Sequence, residues 1–355
     1  MGRRVQLAIA IYALGHLYIA WRLALPLPSP LWQLTTALFP LCAWTFPYVR
    51  MRARRLPREQ ARPWVLAGYL WFGLVAYLFL GAIASHIAVA AGADARSSAL
   101  VCGGISIAVV ALGLLNVALG PRPRRVRVPM PHLPTERFTI AHITDLHVGA
   151  LIGREFTQRL VERVNALDTD IIVLTGDIID GRLSELRDHV EPLRGLRARH
   201  GVFMVTGNHE YYWNATAWVT HLRSLGIRVL RNEHTTIDGA IVLAGTDDVS
   251  ADEDVEAAVA GRDAALPLVL LAHHPRTITR AAEAGVDLQL SGHTHGGQLL
   301  PWGWLARLWD PRVRGLGRHG PTWLYVGDGT GYWGPPLRVG TRCEIGLLEL
   351  RALAA

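Results

Sequence analysis

The sequence contains no lysine, and all 36 residues counted as lysine or arginine are arginine. This absence excludes a phosphate-binding loop of the Walker type, Schiff-base chemistry and any catalytic lysine. Cysteine is scarce as well, with three widely separated residues. Three cysteines spaced in this way exclude a disulfide framework and a cysteine-based zinc cluster.

Charged residues are also few, at 18% of the chain, while 50% of the residues are hydrophobic and the mean hydropathy is +0.22. This composition is too apolar for a disordered chain and richer in apolar residues than an ordinary soluble enzyme. Residues 1–136 contain 14 arginines and three acids, whereas residues 137–355 contain 22 arginines and 26 acids. Because the basic excess belongs to an apolar region, nucleic acid is not expected as a partner.

Four apolar stretches within residues 1–120 predict an all-α transmembrane anchor with four spans. They lie at about Val5–Leu25, Leu31–Val49, Trp64–Ala91 and Ala99–Leu119. Each is long enough to cross a hydrocarbon core of about 30 Å, where a helix satisfies its own backbone hydrogen bonds. Arg22 lies near the end of the first stretch, and its side chain is expected to extend to the membrane interface.

The placement of arginine predicts the orientation of these spans. Arginines cluster at the N-terminus, between the second and third stretches and after the fourth, whereas the other two links are nearly neutral. The positive-inside rule therefore predicts a multi-pass protein of the inner (cell) membrane, with everything after residue 121 on the cytoplasmic side. A cleaved or twin-arginine signal at Arg3-Arg4 is an alternative, although it leaves three further apolar stretches unexplained.

The composition changes after residue 120. Residues 121–136 are rich in proline and arginine and are predicted to form an extended linker. In residues 137–355, short β-branched runs alternate with helical segments, which predicts an α/β domain whose large sheet is covered on both faces. A hairpin that turns at Asp238-Gly239 is expected within residues 235–245.

Polar side chains follow five of the predicted strands. The clusters are Asp145-x-His147, Gly176-Asp177-x-x-Asp180, Gly207-Asn208-His209-Glu210, His273-His274-Pro275 and Gly292-His293-Thr294-His295. Because the carboxyl ends of strands form the binding crevice of open α/β sheets, these side chains are expected to converge. Imidazole, carboxylate and amide oxygen are ligands for manganese, iron or zinc, and seven such groups suffice for two ions that share a carboxylate.

This ordered set of motifs resembles the calcineurin-like metallophosphoesterase superfamily over roughly residues 137–351. The extension from Gly292 to Gln298 is similar to the membrane-associated branch that contains the YkuE and YaeI phosphoesterases, and so is the later stretch from Tyr325 to Arg338. The resemblance implies a double β-sheet sandwich flanked by helices. It also implies two divalent metal ions (manganese, iron or zinc) and hydrolysis of a phosphoester by metal-activated water.

The resemblance further implies a role for each residue of the motifs. The first ion would be held by Asp145, His147, Asp177 and His295, and the second by Asp177, Asn208, His273 and His293. His209 would act as the general acid or stabilise the transition state, and Glu210 would orient it. His274 and Asp180 are expected to support the ligands without contacting an ion.

The predicted function is hydrolysis of a phosphodiester or pyrophosphate bond by a membrane-anchored enzyme. Pro301–Pro311, which contains three tryptophans, is either a loop that covers the core or an amphipathic lip that enters the membrane interface. A lip would favour a lipid-borne phosphoester as substrate, with the lipid bilayer as a second partner. Two other classes stay open: a metal-binding sensory or regulatory module with little turnover, and a transporter or channel with a regulatory phosphoesterase domain.

Overall fold

The computed structural model of the chain describes residues 3–37, 39, 56–310 and 312–352. The chain divides into two compact units. The first consists of Met1–Ala118 and Gly334–Val339, and the second of Leu119–Trp333 and Gly340–Ala355.

The first unit is helical. Its helices are α1 (Arg3–Ile19), which continues into a π-helix (Ala20–Ala24), α2 (Arg58–Ala90) and α3 (Ala95–Ala118). Helices α2 and α3 are long and apolar enough to cross a membrane, whereas the apolar helical stretch Ile9–Ala24 is shorter. Two of the four predicted spans are thus confirmed as helices of spanning length.

The second predicted span, Leu31–Val49, is described only in part. Residues 31–37 and 39 are helical, while residue 38 and residues 40–49 lie outside the described residues. The prediction of four spans therefore stays a prediction for this segment and for the first one.

A late segment of the chain, Gly334–Val339, belongs to the helical unit. The side chain of Leu337 is 1% exposed and packs against Gly73 of α2 and Gly113 of α3. A side chain at Gly113 would collide with Leu337, so the close approach requires glycine there. The backbone N–H of Arg338 donates to the carbonyl of Gly113 at 3.3 Å, which holds the segment on α3.

The second unit is an α/β fold with twelve described strands. They are β1 (Arg122–Met130), β2 (Arg137–Ile143), β3 (Ile171–Thr175), β4 (Val202–Val205), β5 (Arg228–Val229), β6 (Glu233–Ile237), β7 (Ile241–Gly245), β8 (Leu268–Leu271), β9 (Leu288–Ser291), β10 (Gly315–His319), β11 (Thr322–Val326) and β12 (Glu344–Ala352). The α-helices are α4 (Arg154–Asn165), α5 (Leu183–Val190), α6 (Asn208–Tyr212), α7 (Ala215–Ser224), α8 (Val255–Val259) and α9 (Ile278–Glu283). Four short 3₁₀ segments complete the unit: Glu191–Gly195, Pro275–Thr277, His295–Gly297 and Trp302–Leu308.

The strands form two six-stranded sheets that pack face to face. Their orders are β1-β12-β2-β3-β4-β5 and β10-β11-β9-β8-β7-β6. One apolar cluster joins the inner faces of the two sheets, and α4, α5 and α7 cover the outer face of the first sheet while α8 and α9 cover that of the second. The predicted double sandwich flanked by helices is thus confirmed, and so is the hairpin at Asp238-Gly239, which joins β6 to β7.

The segment expected to be a linker is instead part of the sandwich. β1 lies at the edge of the first sheet and pairs in parallel with β12, from Arg122 opposite Glu344 to Met130 opposite Ala352. Its prolines are compatible with this place because an edge strand has one row of backbone N–H groups without a ladder partner. The proline-rich composition therefore marks an edge strand of the fold.

Candidate metal centre

All the predicted ligands lie directly after strands, at one edge of the sandwich. Asp145 and His147 follow β2, Asp177 follows β3, Asn208 and His209 follow β4, His273 follows β8, and His293 and His295 follow β9. In the first sheet β2, β3 and β4 are neighbours, and in the second sheet β8 and β9 are neighbours. The carboxyl ends of five adjoining strands thus bring both halves of the predicted site together.

The carboxylate of Asp177 lies at the middle of this group. Its Oδ2 is 3.3 Å from Nε2 of His273, 3.8 Å from Nε2 of His147 and 3.9 Å from Nε2 of His209. Its Oδ1 accepts the backbone N–H of His209 at 2.9 Å. One oxygen is therefore fixed by the backbone while the other faces three imidazoles from three different loops.

A second group of ligand atoms surrounds Asp145. Nε2 of His295 lies 3.5 Å from Oδ1 of Asp145 and 3.0 Å from Nε2 of His147. Both oxygens of Asp145 accept the backbone N–H of His293 at 3.0 Å, so the carboxylate is held against the loop that carries the last two histidines. Asp145, His147 and His295 each place a ligand atom within 4.8 Å of the others.

The ligand atoms that face this site are suited to a divalent cation. Nδ1 of His273 lies 2.7 Å from the carbonyl of Thr175 and must donate to it, because a carbonyl can only accept. Metal binding requires the neutral ring, in which Nε2 carries the lone pair. This atom lies 3.3 Å from Oδ2 of Asp177 and is buried without a hydrogen-bond partner in the described part of the chain. The same holds for Oδ1 of Asn208. A cation at this position would take all three groups as ligands.

Backbone conformation also distinguishes the predicted ligands. Five of them lie in the left-handed region of positive φ, at 50° for Asp145 and His147, 54° for Asp177, 68° for His293 and 53° for His295. Residues other than glycine adopt this conformation at a cost of about 1–3 kcal/mol, and such residues concentrate at functional sites. The fold therefore holds these side chains in place against their local preference.

Comparison with known proteins agrees with this geometry. Residues 138–297 match the family model described as calcineurin-like phosphoesterase. A transmembrane protein with metallophosphoesterase domain from Danio rerio is 38% identical over 267 residues, which is 70% of this chain and 61% of that protein. The uncharacterized metallophosphoesterase YkuE of Bacillus subtilis is 32% identical over 234 residues, which is 61% of this chain and 79% of that protein.

The chain belongs to the calcineurin-like phosphoesterase family. The matched region extends over every predicted ligand from Asp145 to His295, and members of this family use divalent metals. The chain spans about three fifths of the length of the Danio rerio relative.

In this calcineurin-like phosphoesterase, Glu210 supports the site through the backbone. Its buried carboxylate accepts the N–H groups of Asp177 and Ile178, both at 2.9 Å, and of Gly207 at 2.7 Å. The ring of His209, which Glu210 is expected to orient, is held by Asp180 instead, with Nδ1 at 3.2 Å from Oδ1. Glu210 thus joins the loop after β3 to the loop after β4.

Two glycines let these loops approach each other. A Cβ at Gly207 would collide with the carboxylate of Asp177, and a Cβ at Gly292 would collide with Asp145 and Thr144. The glycine beside each of these motifs is therefore required by the close packing of backbone against a ligand carboxylate.

The structure adds a residue that the motif analysis missed. Oδ2 of Asp248 lies 3.3 Å from Nε2 of His274, whose ring is tilted by 41° against that of His293 at 3.8 Å between centroids. His273, His274 and His293 each offer a ligand atom within 4.8 Å of the others, so the supporting role of His274 stays a prediction. The signal for Asp248 is in the sequence, since Asp247-Asp248 follows the apolar strand β7 in the same way as the other clusters follow theirs.

Burial and neighbouring charges perturb ionisation at the site of this phosphoesterase. Burial raises the pKa of Asp145 to about 6, with His273 opposing the change, and it lowers the pKa of His147 to about 4. Burial also opposes the charged form of His273, but the nearby Asp177 raises the pKa of that ring to about 10. Burial alone would raise the pKa of Asp177, but the nearby His273 holds it well below its usual value. The site thus carries an ionised carboxylate at neutral pH.

The tryptophan-rich segment that follows the last histidines is on the surface. Its described part, which ends at residue 310, contains the 3₁₀ segment Trp302–Leu308, in which no residue is buried. Leu308 and Trp309 are each 73% exposed. The described part of this segment therefore contributes no buried side chain from Trp302–Leu308 to the core.

Proposed function

We propose that the chain is a membrane-anchored phosphoesterase that uses two divalent ions to hydrolyse phosphodiester or pyrophosphate bonds. The observation that carries this proposal is the position of Asp177, whose single Oδ2 atom faces imidazole nitrogens of both predicted ligand groups. A carboxylate shared between two groups of ligands is the arrangement that a two-metal phosphoesterase requires.

The proposed ligands divide into two sets around this carboxylate. Asp145, His147, Asp177 and His295 would hold one ion, and Asp177, Asn208, His273 and His293 the other. Support comes from the distances among the first set and from the hydrogen bond of His273 to Thr175, which directs Nε2 toward the carboxylate. Bound divalent ions activate water and neutralise charge on the phosphoryl oxygens.

His209 is proposed to donate a proton to the leaving oxygen of the substrate. Burial disfavours the imidazolium, but the hydrogen bond that Nδ1 donates to Asp180 and the charge of Asp177 raise the pKa of His209. Asp180 is itself held by the indole N–H of Trp213 at 3.1 Å. Because Nδ1 is engaged by Asp180, Nε2 is the nitrogen that faces Asp177 and would carry the proton for the leaving oxygen.

The proposed location is the inner membrane, with residues 1–120 as a multi-pass anchor and the phosphoesterase domain on the cytoplasmic side. Helices α2 and α3 and the distribution of arginine support this location. The Danio rerio relative is named a transmembrane protein.

A lipid-borne phosphoester is the proposed substrate class. The lip at Trp302–Leu308 exposes apolar side chains directly after the loop that carries His293 and His295. Exposed tryptophan and leucine on a short helical segment are typical of a surface that enters the headgroup region of a bilayer. A substrate anchored in lipid would be presented beside the proposed metal centre.

Turnover by the full-length protein in detergent tests the proposed activity. The substrates are a phosphomonoester, a phosphodiester and a nucleotide-lipid pyrophosphate, each with manganese, iron or zinc. Asn208→Ala removes one proposed ligand and should lower the rate at least tenfold, since changes at a metal site cost about 10–100-fold. The exposed His319 on β10 provides the matched control, His319→Ala, which should leave the rate unchanged.

The same measurements separate the alternatives. Binding of two ions without turnover of any substrate would favour the sensory or regulatory module. Equal rates for the wild type and Asn208→Ala would contradict the proposed ligand set. Replacing Leu308 and Trp309 by serine should lower turnover of the lipid substrate far more than that of a soluble diester, and equal losses would count against the lip.

A further inference from the structure

Arg22 is a buried cation in the helical unit. Its residue is 9% exposed, and Nη2 donates to the carbonyl of Ser85 on α2 at 3.1 Å. Nε of Arg22 and the hydroxyl of Ser85 are both buried without a hydrogen-bond partner among the described residues. The side chain therefore does not extend outward along the helix, as the sequence led us to expect, but turns into the packed helices.

The helical unit has almost no negative charge to balance this guanidinium. Residues 1–118 and 334–339 contain two acids, Glu59 and Asp94. Glu59 lies in the first turn of α2, 26 residues before Ser85, which is about 39 Å along a helix. Asp94 is fully exposed, accepts the N–H of Ser97 at 2.8 Å and makes no ion pair with Arg22 in the described structure. Neither acid of this unit therefore pairs with Arg22 in the described structure, so an anion that balances its charge has to come from outside the unit.

Two helices place this cation at the same depth. Arg22 is 19 residues after Arg3, which corresponds to about 28 Å of helix, close to the thickness of a hydrocarbon core. Ser85 is 23 residues after Arg62, or about 35 Å of helix. If the arginine-flanked ends of α1 and α2 lie at one membrane surface, Arg22 and Ser85 lie near the opposite surface.

The surroundings of Arg22 are those of an interface. Its guanidinium lies 5.2 Å from the ring centroid of Trp21, an exposed indole of the kind found at the level of lipid headgroups. Phospholipids carry a phosphate anion at this level. A planar guanidinium is a suitable donor for two of its oxygens.

We propose that Arg22, held by the carbonyl of Ser85, binds the phosphate group of a phospholipid at the end of the helical unit opposite Arg3. The inference rests on the proposed membrane location but not on the metal centre or its activity. It assigns the helical unit a specific lipid site in addition to anchoring.

Native mass spectrometry of the full-length protein tests this site, with phosphatidylglycerol as the probe. The wild type should retain one tightly bound lipid, and Arg22→Gln should weaken its Kd at least tenfold. Arg96→Gln, which removes an exposed arginine of α3, is the matched control and should bind as the wild type does. Equal binding by Arg22→Gln and wild type, or equal losses in both variants, would overturn the proposal.

Arg22→Lys is the second variant, because it keeps the positive charge but removes the planar guanidinium. It should weaken binding several-fold while the thermal unfolding midpoint stays within a few degrees. Diacylglycerol, which lacks the phosphate, should not compete, and competition by it would contradict recognition of the phosphate. Displacement of the lipid by equimolar inorganic phosphate would show that the site binds free phosphate equally well, and it would overturn the proposal of a lipid ligand.

Failure of the membrane location would be seen separately. If the wild type does not float with phosphatidylglycerol vesicles in a density gradient, the location itself is wrong. If it floats but Arg22→Gln keeps its bound lipid, only the lipid site is wrong.

Discussion

The three hydrogen bonds accepted by Glu210 can be tested by a change that keeps the size of the side chain. Glu210→Gln replaces one carboxylate oxygen by an amide nitrogen, which cannot accept the N–H of Asp177, Gly207 or Ile178. At least one buried N–H then faces another donor. An unpaired buried donor costs about 1–3 kcal/mol, and the loss of charge assistance brings the total to roughly 2–4 kcal/mol.

Thermal unfolding of the full-length protein in detergent measures this cost. Because burial raises the pKa of Glu210 to about 7, the comparison is made at pH 8.5, where the carboxylate is ionised. For a domain of this size 1 kcal/mol shifts the midpoint by about 2–4 °C, so a decrease of roughly 4–16 °C is expected.

The matched control for this experiment is Glu283→Gln, which changes an exposed residue of α9 and should shift the midpoint by no more than about 2 °C. Manganese affinity should also fall at least tenfold in Glu210→Gln, since the loop of Asp177 loses its support. A midpoint equal to that of the control would refute the view that these three bonds hold the site together.

Three other substitutions test separate contacts. Gly292→Ala places a methyl group against the Asp145 carboxylate, and calorimetry should show manganese binding at least tenfold weaker. Asp247→Asn breaks the ion pair with Arg231. Burial raises the pKa of Asp247, but the pairing with Arg231 outweighs burial and lowers it. Stability from this pair is present above about pH 4 and lost below it, so unfolding midpoints of variant and wild type should differ at pH 7 and converge toward pH 3. Leu337→Ala leaves a cavity between α2 and α3 that should cost about 2–5 kcal/mol in thermal unfolding.

The chain offers a control for each of these variants. Gly103→Ala adds a methyl group where no atom lies within 4 Å. Asp263→Asn removes an exposed carboxylate, and Leu112→Ala shortens a leucine that is 67% exposed on α3. A variant that loses no more than its control would show that the contact in question does not contribute.

The positions of the proposed ligands can be predicted from the sequence because each directly follows an apolar run. β3 is buried along its whole length, and Asp177 comes two residues after its end. A short β-branched run of this kind indicates a covered strand, and the polar residue after it is expected at the carboxyl end of that strand. The same argument applies to His273 after β8, which is also buried throughout.

Other features depend on contacts that no local pattern encodes. The pairing of β1 with β12 joins residues more than 200 positions apart, and it turns a proline-rich stretch into an edge strand. The contact of Asp180 with His209 depends on how the loops after β3 and β4 meet. The burial of Arg22 depends on the approach of α2, since its own helix gives no sign of it. Long-range packing therefore decides these three features.

Leu337 has a practical consequence for anyone who wishes to study the phosphoesterase domain without its helices. A truncated protein that begins after Ala118 would still contain Gly334–Val339. The side chain of Leu337 would then lack Gly73 and Gly113, against which it packs. Such a fragment would expose a hydrophobic patch, which favours self-association. A soluble version should therefore be engineered with a polar replacement at this leucine from the outset.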